Sequence, residues 1–288
     1  MRPRSFLPLA LSLLLPLSAA VAAAAPRPLY VYDFGGLEKL SPEERVDLVA
    51  KTGYAGLVLS GASAGDVENL PRHLARCADP AGPQIMAVFV RYTFMDPPVD
   101  VARRETVVRQ LAGRNIPLWI ILDNRRPGIT AAEAEAALTA AARDAAAHHV
   151  PLALYPHSRC WISSAEEALA ILTKIDRPEV SIVLHLCHEL RARNGARLPE
   201  VIRQVGSRVS AISISGAAAE ADFTSPSIMD RTTIHSLDES AFDWAGFVAL
   251  TDAAGLRVPV AFINFKIPAP VTDYLPRSLA AWRRATGL

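Results

Sequence analysis

The chain has 288 residues, 51% of them apolar, with 30 Lys and Arg against 29 Asp and Glu and a formal charge of +1. No run of basic residues breaks that balance, so nucleic acid and anionic membrane surfaces are not expected partners. The three cysteines, Cys77, Cys160 and Cys187, form no CxxC pair. Buried free thiols are expected, although Cys160 and Cys187 follow neighbouring predicted strands and are the pair that proximity would allow to bridge.

Residues 1–25 read as a cleaved signal peptide. Arg2 and Arg4 supply a basic start, "FLPLALSLLLPLSAAV" an apolar core, and "AAAAP" the small residues that a signal peptidase requires. Pro8 and Pro16 interrupt the apolar run, whose dense part is shorter than the roughly 20 residues of a spanning helix. Cleavage near Ala23–Ala25 predicts an exported protein, periplasmic or secreted, with no stable membrane insertion afterwards. Residues 26–288 then suffice for one large domain.

Along that domain, eight short apolar runs alternate with helix-length amphipathic stretches. The runs are "LYVYDF" (29–34), "AGLVLS" (55–60), "IMAVFVRY" (85–92), "PLWIILD" (117–123), "PLALYP" (151–156), "VSIVLHL" (180–186), "VSAISIS" (209–215) and "VPVAFINF" (258–265). Ser41, Pro42 and Glu44 predict a capped helix start and Gly53 its stop. Thr130 with Glu133, and Ser163 or Ser164, open further helices. "ESAFDWAGFVALTDAAG" ends at Gly255, and "LPRSLAAWRRAT" closes the chain. Nearly continuous apolar strands suit a parallel sheet covered on both faces. Together these features predict an α/β protein, a single (β/α)8 TIM barrel; no glycine-rich phosphate turn supports an open doubly wound sheet. The one long connection runs from Gly216 to Leu237.

In such barrels the reactive groups lie at the C-terminal strand ends. Those ends carry Tyr32 and Asp33, Ser60, Arg91 and Tyr92, Asp123 and Asn124, Tyr155 and His157, His185 and His188, Ser213 and Ser215, and Asn264 and Lys266. His235 and Asp238 fall in the loop after the seventh strand, and Glu189 follows the second histidine of "VLHLCHE".

Three phrases resemble the xylose isomerase-like barrels, a group of sugar isomerases and epimerases that includes metal-dependent apurinic endonucleases. "GLEKLSPEERVDLVAKTGYAGLVLS" looks like that family's first helix and second strand. "VLHLCHE" is similar to its sixth-strand D-x-x-H phrase, and "IHSLDESAFDWAGFVALTDAAGLRVPVAFINF" to its last unit. The resemblance implies a barrel acting on a sugar or sugar acid, with a divalent metal such as zinc or manganese held by Glu, Asp, His and Glu at the ends of strands five to eight. Those positions read Tyr155, His185, Ser213 and Asn264 in this chain. The two glutamates that would move a proton at carbon are absent, and Asn264 cannot exchange one. His188 stands at the family's histidine, which tends to contact substrate.

The residues leave three roles open for the histidines: metal ligation, mainly by His157 and His185; hydrogen bonding or proton transfer to substrate, by His157, His185 and His188 with Tyr155 as an acid; or satisfaction by backbone carbonyls. Arg91, Arg125, Arg126 and Arg159 are placed to hold a carboxylate or to form a solvated rim. Trp161 and Tyr92 are candidates for stacking on a sugar face, with Tyr32, Asp33, Asp123, Asn124, Glu189, Ser213, His235, Asn264 and Lys266 completing the expected contact set. His148 and His149 read as a helix C-terminus, and His73 as a surface residue. The functions in view are a carbohydrate isomerase, epimerase or lyase, a catalytically inactive carbohydrate-binding barrel, and a glycoside hydrolase. The last needs two flanking carboxylates, and only Asp123 is positioned for the role.

Overall fold

The computed structural model describes residues 27–94, 99–124, 126–219 and 233–287. The predicted signal segment, Arg125 and most of the 216–237 connection lie outside them. The eight strands close on themselves in sequence order, β1 to β8, as a parallel barrel. They are β1 Leu29–Tyr32, β2 Gly56–Ser60, β3 Gln84–Tyr92, β4 Leu118–Leu122, β5 Leu152–Leu154, β6 Ser181–His185, β7 Val209–Ile214 and β8 Val260–Phe262. Each falls within or almost within a predicted run, but most stop short of its polar end. Tyr155, His157 and Asn264 therefore leave the ladder and stand above the rim.

The helices are α1 Pro42–Thr52, α2 Ala64–Arg76, α3 Val99–Leu111, α4 Ala131–Ala147, α5 Ala165–Lys174, α6 Leu186–Arg191, α7 Leu198–Val205, α8 Trp244–Ala253 and α9 Val271–Thr286. Ser41 and Glu44 form the expected reciprocal cap on α1, which ends at Gly53 with φ 91°. Thr130 and Glu133 cap α4 in the same way. Of the two serines proposed for α5, Ser164 is the cap, accepting from the Glu167 N–H.

Three local readings change. The closing helix starts at Val271 rather than Leu275 and carries Pro276 in its second turn. Helix α6 follows β6 with no intervening loop, so His185 is both the last strand residue and the residue preceding the helix. His73 is not on the surface: only 4% of it is accessible, its Nδ1 lies 3.2 Å from the Asn69 carbonyl, and burial pulls its pKa down to about 4.

The core fills the barrel and the layer beneath the helices, with Trp119, Tyr32, Phe262, Tyr274 and Trp282 among its largest fully buried side chains. Cys77, Cys160 and Cys187 are all buried and unbridged. No helix among the described residues is long and apolar enough to cross a membrane.

Candidate functional site at the C-terminal mouth

The strand ends of β3 to β6 open into a cavity of about 490 Å³. Its polar lining comprises Arg91, Asp123, Asn124, Tyr155, His157, Ser158, Arg159, Cys160, Cys187, His188, Arg191 and Lys266. Phe34, Phe89 and Phe265 supply an aromatic wall, with ring centroids 5.4–5.7 Å apart along the series. Four rings run through the site in contact. Tyr155 stacks on His185 at 5.1 Å, and His188 lies 4.2 Å from both His185 and His157.

Each histidine is held differently. His157 turns Nδ1 to the Ser158 carbonyl at 2.9 Å, which leaves Nε2 facing Arg91 at 3.4 Å. His188 accepts from the Ser158 N–H at Nδ1 (3.3 Å), and among the described residues its Nε2 makes no hydrogen bond. His185 lies behind the lining, with Nε2 3.0 Å from Ser213 Oγ and Nδ1 3.4 Å from Cys187 Sγ. Burial, reinforced by neighbouring cationic groups, holds all three below the ordinary imidazole range, His157 at about 4. The rings are neutral near pH 7. Burial also pushes the Tyr155 phenol well above its usual value, so it serves as a neutral donor and neither a base nor a ready acid.

The charged lining is mostly cationic. Asp123 is the one carboxylate among the described lining residues, and Arg91 binds it at 2.8 Å. Arg91 also reaches Cys160 Sγ at 3.3 Å. Arg191 is aimed by its bonds to Thr233 Oγ1 (2.8 Å) and Ser158 Oγ (3.2 Å). Arg159 and Lys266 sit in the left-handed region at φ 63° and 57°, conformations that non-glycine residues adopt at a cost of order 1 kcal/mol.

Of the residues expected from sequence, Arg91, Asp123, Asn124, Tyr155, His157, Arg159, His188 and Lys266 line this cavity, and His185 and Ser213 back it. The others stand outside the lining. Tyr32 is buried beneath it, 6.2 Å from the His185 ring. Asp33 is clamped by Arg45 at 3.0 Å and by the Ser60 N–H, and faces an adjoining cleft beside α9. Tyr92 packs edge-on against Phe94, and Trp161 lies against the core. Glu189 braces α5 by accepting from the Ala165 N–H and Asn194 Nδ2, both at 2.7 Å. His235 pairs with Gly216 in an isolated bridge. The lining residues that sequence reasoning missed are the three phenylalanines, Ile121, Ile234, Ile263, Ser158, Cys160, Cys187 and Arg191.

The family's four metal positions do not fit a hard divalent ion. Tyr155 is a buried neutral phenol, and Ser213 is occupied with His185. Asn264 commits its Nδ2 to the Phe34 carbonyl and Tyr274 Oη, while its buried Oδ1 has no hydrogen-bond partner among the described residues. An ion such as manganese favours carboxylate and water oxygens, and these four positions offer no carboxylate.

The family model described as xylose isomerase-like TIM barrel matches residues 89–284. No curated protein matches the sequence. Among solved structures, 3-keto-D-glucoside 4-epimerase from E. coli superposes with a TM-score of 0.66 at 14% identity, covering 90% of this chain and 99% of that one. A probable 3-DHS dehydratase of petrobactin synthesis from Bacillus anthracis gives 0.68 at 14%, covering 88% and 97%. D-allulose 3-epimerase from Methylomonas sp., in complex with D-allulose, gives 0.62 at 18%, covering 89% and 91%. At these identities the likeness speaks for the fold.

Proposed function

We propose that this chain, which belongs to the xylose isomerase-like TIM barrel family, is an exported barrel that binds a sugar acid at its C-terminal mouth. The observation that carries this reading is the charge of the cavity. Arg91, Arg159, Arg191 and Lys266 all line it, and among the described lining residues Asp123, bound by Arg91, is the one carboxylate. A partly desolvated pocket lined by several guanidinium groups favours a carboxylate ligand, which arginine engages in bidentate fashion. The phenylalanine wall suits the apolar face of a pyranose ring. Structural relatives that act on keto-glucosides and allulose support the carbohydrate class.

Binding stands ahead of turnover because the paired glutamates of the epimerase mechanism are replaced by Tyr155 and Asn264. A catalytic reading rests on one group, the neutral His188, whose Nε2 edge is the one placed to exchange a proton with a bound ligand. Calorimetric titration of the mature protein should show hexuronates such as glucuronate binding at least ten-fold tighter than the matching neutral hexoses. Equal affinity for acid and neutral sugar would sink the assignment, as would silence from both. Solvent deuterium appearing at a carbon of the bound uronate, and lost in His188→Asn, would turn the binder into an enzyme. Export is checked by the mass of the chain recovered from its own cells, which should begin after Ala23–Ala25.

A further inference from the structure

His185, Cys187 and His188 bring three ligand-capable atoms within 4.8 Å of one another, all buried. All three come from the single junction of β6 with α6, not from four separate strand ends. We propose that they form a soft-metal site, one thiolate and two imidazoles, that takes zinc or an ion of its class.

At His185 the hydrogen bonding already fits the protonation this requires. His185 Nε2 lies 3.0 Å from Ser213 Oγ; donation there leaves the Nδ1 lone pair pointing at Cys187 Sγ, 3.4 Å away. Metal-bound histidines characteristically donate their second ring N–H to such an outer partner. Zinc binds nitrogen at about 2.0 Å and sulfur at about 2.3 Å in a tetrahedron, so two such ligands stand roughly 3.5 Å apart. The His185–Cys187 pair already has that spacing, at 3.4 Å. A ring nitrogen of His188 lies within 4.8 Å of both, and His188 joins them by releasing the Ser158 N–H from its Nδ1 and turning that ring to the same ion.

The donor set also selects the metal. Thiolate and imidazole favour zinc and its softer neighbours over magnesium, calcium or manganese. On binding, the Cys187 thiol proton passes to solvent and the divalent ion takes its place, adding one net positive charge. Cys187 and His188 both line the cavity, so the fourth coordination position opens towards it.

The test uses the full mature chain, purified without a histidine tag, stripped with chelator and titrated with Co²⁺ in the absence of any sugar. One equivalent should produce a thiolate-to-cobalt charge-transfer band and tetrahedral d–d bands, both erased by added Zn²⁺. Cys187→Ser should abolish the charge-transfer band and weaken binding at least ten-fold. Ser213→Ala should keep the band with affinity lowered about ten-fold, as loss of an outer-shell partner does. Cys160→Ser should leave the spectrum as in the wild type. A wild-type protein that shows no such band overturns the site without recourse to any variant. A band that survives Cys187→Ser, or vanishes in Cys160→Ser, overturns the ligand assignment. Because no sugar is present, a negative result here leaves the sugar-acid reading standing, and the reverse holds for the calorimetry.

Discussion

At the ends of β1 and β2, Asp33 accepts from Arg45 and from the Ser60 N–H, and Ser60 Oγ donates to Asp66 at 2.7 Å. These polar groups pair with one another, with Asp33 and Arg45 almost wholly out of solvent. At the ends of β5 and β6, by contrast, His188, Cys187 and Arg191 turn towards a cavity. Both sectors read alike in sequence, as polar residues closing apolar strands. What separates them is where the following helix sends its side chains: α1 sends Arg45 inward to Asp33, whereas α6 sends His188 and Arg191 to the cavity. Polar residues at a barrel mouth thus divide into braces and contacts, and only the second kind can recognise a ligand.

The largest test of that division is Asp33→Ala. Removing one member of a buried pair leaves Arg45 uncompensated and should cost about 3–5 kcal/mol in urea unfolding. Uronate affinity of the remaining folded protein should stay unchanged. If affinity collapses while stability holds, Asp33 belongs with the contacts and the comparison is reversed.

Glu189 tests the same division inside the β6 sector. Desolvation lifts its carboxyl to about 7 despite its two hydrogen bonds. With the folded value above the unfolded one, the native chain retains a proton that the unfolded chain has released. Its contribution to stability therefore falls as pH rises from the ordinary carboxylate range to about 7. Wild type should lose on the order of 2 kcal/mol more than Glu189→Gln between pH 4.5 and 7.5, as each pKa unit is worth about 1.4 kcal/mol. Parallel profiles for the two proteins would show that this carboxyl is ordinary. Smaller still is Arg191→Gln, expected to weaken uronate binding about five- to ten-fold, close to 1 kcal/mol, with an unchanged thermal midpoint.

How much of this was legible follows from what each feature depends on. Strand order and helix caps rest on local patterns, so the barrel, the Ser41 cap and the Thr130 cap could be read directly. The histidine group was also visible, because His157, His185 and His188 close adjacent strands. Phe34, Phe89 and Phe265 were not, since an apolar residue at a strand end looks the same whether it packs inward or lines a cavity. Arg191 and Glu189 needed the six-residue α6, whose turn sends one to the mouth and the other beneath α5. His73 misled for a related reason: its burial depends on how α2 lies over the barrel, which helical spacing alone left undecided.

His148 supplies the smallest effect and the cleanest control. It follows the last residue of α4 and its side chain is 37% exposed. Its Nδ1 lies 2.9 Å from the Asp144 carbonyl one turn back. An imidazole there complements unpaired carbonyls and the negative end of the helix dipole, an exposed interaction worth a few tenths of a kcal/mol. His148→Ala should therefore shift stability by less than about 0.5 kcal/mol and leave both the cobalt spectrum and uronate binding as they are. A loss above about 1 kcal/mol would mean that α4 depends on this cap more than its exposed geometry allows. A changed spectrum would mean that the metal reaches histidines outside the mouth, and the separation of contacts from braces would then fail at its simplest point.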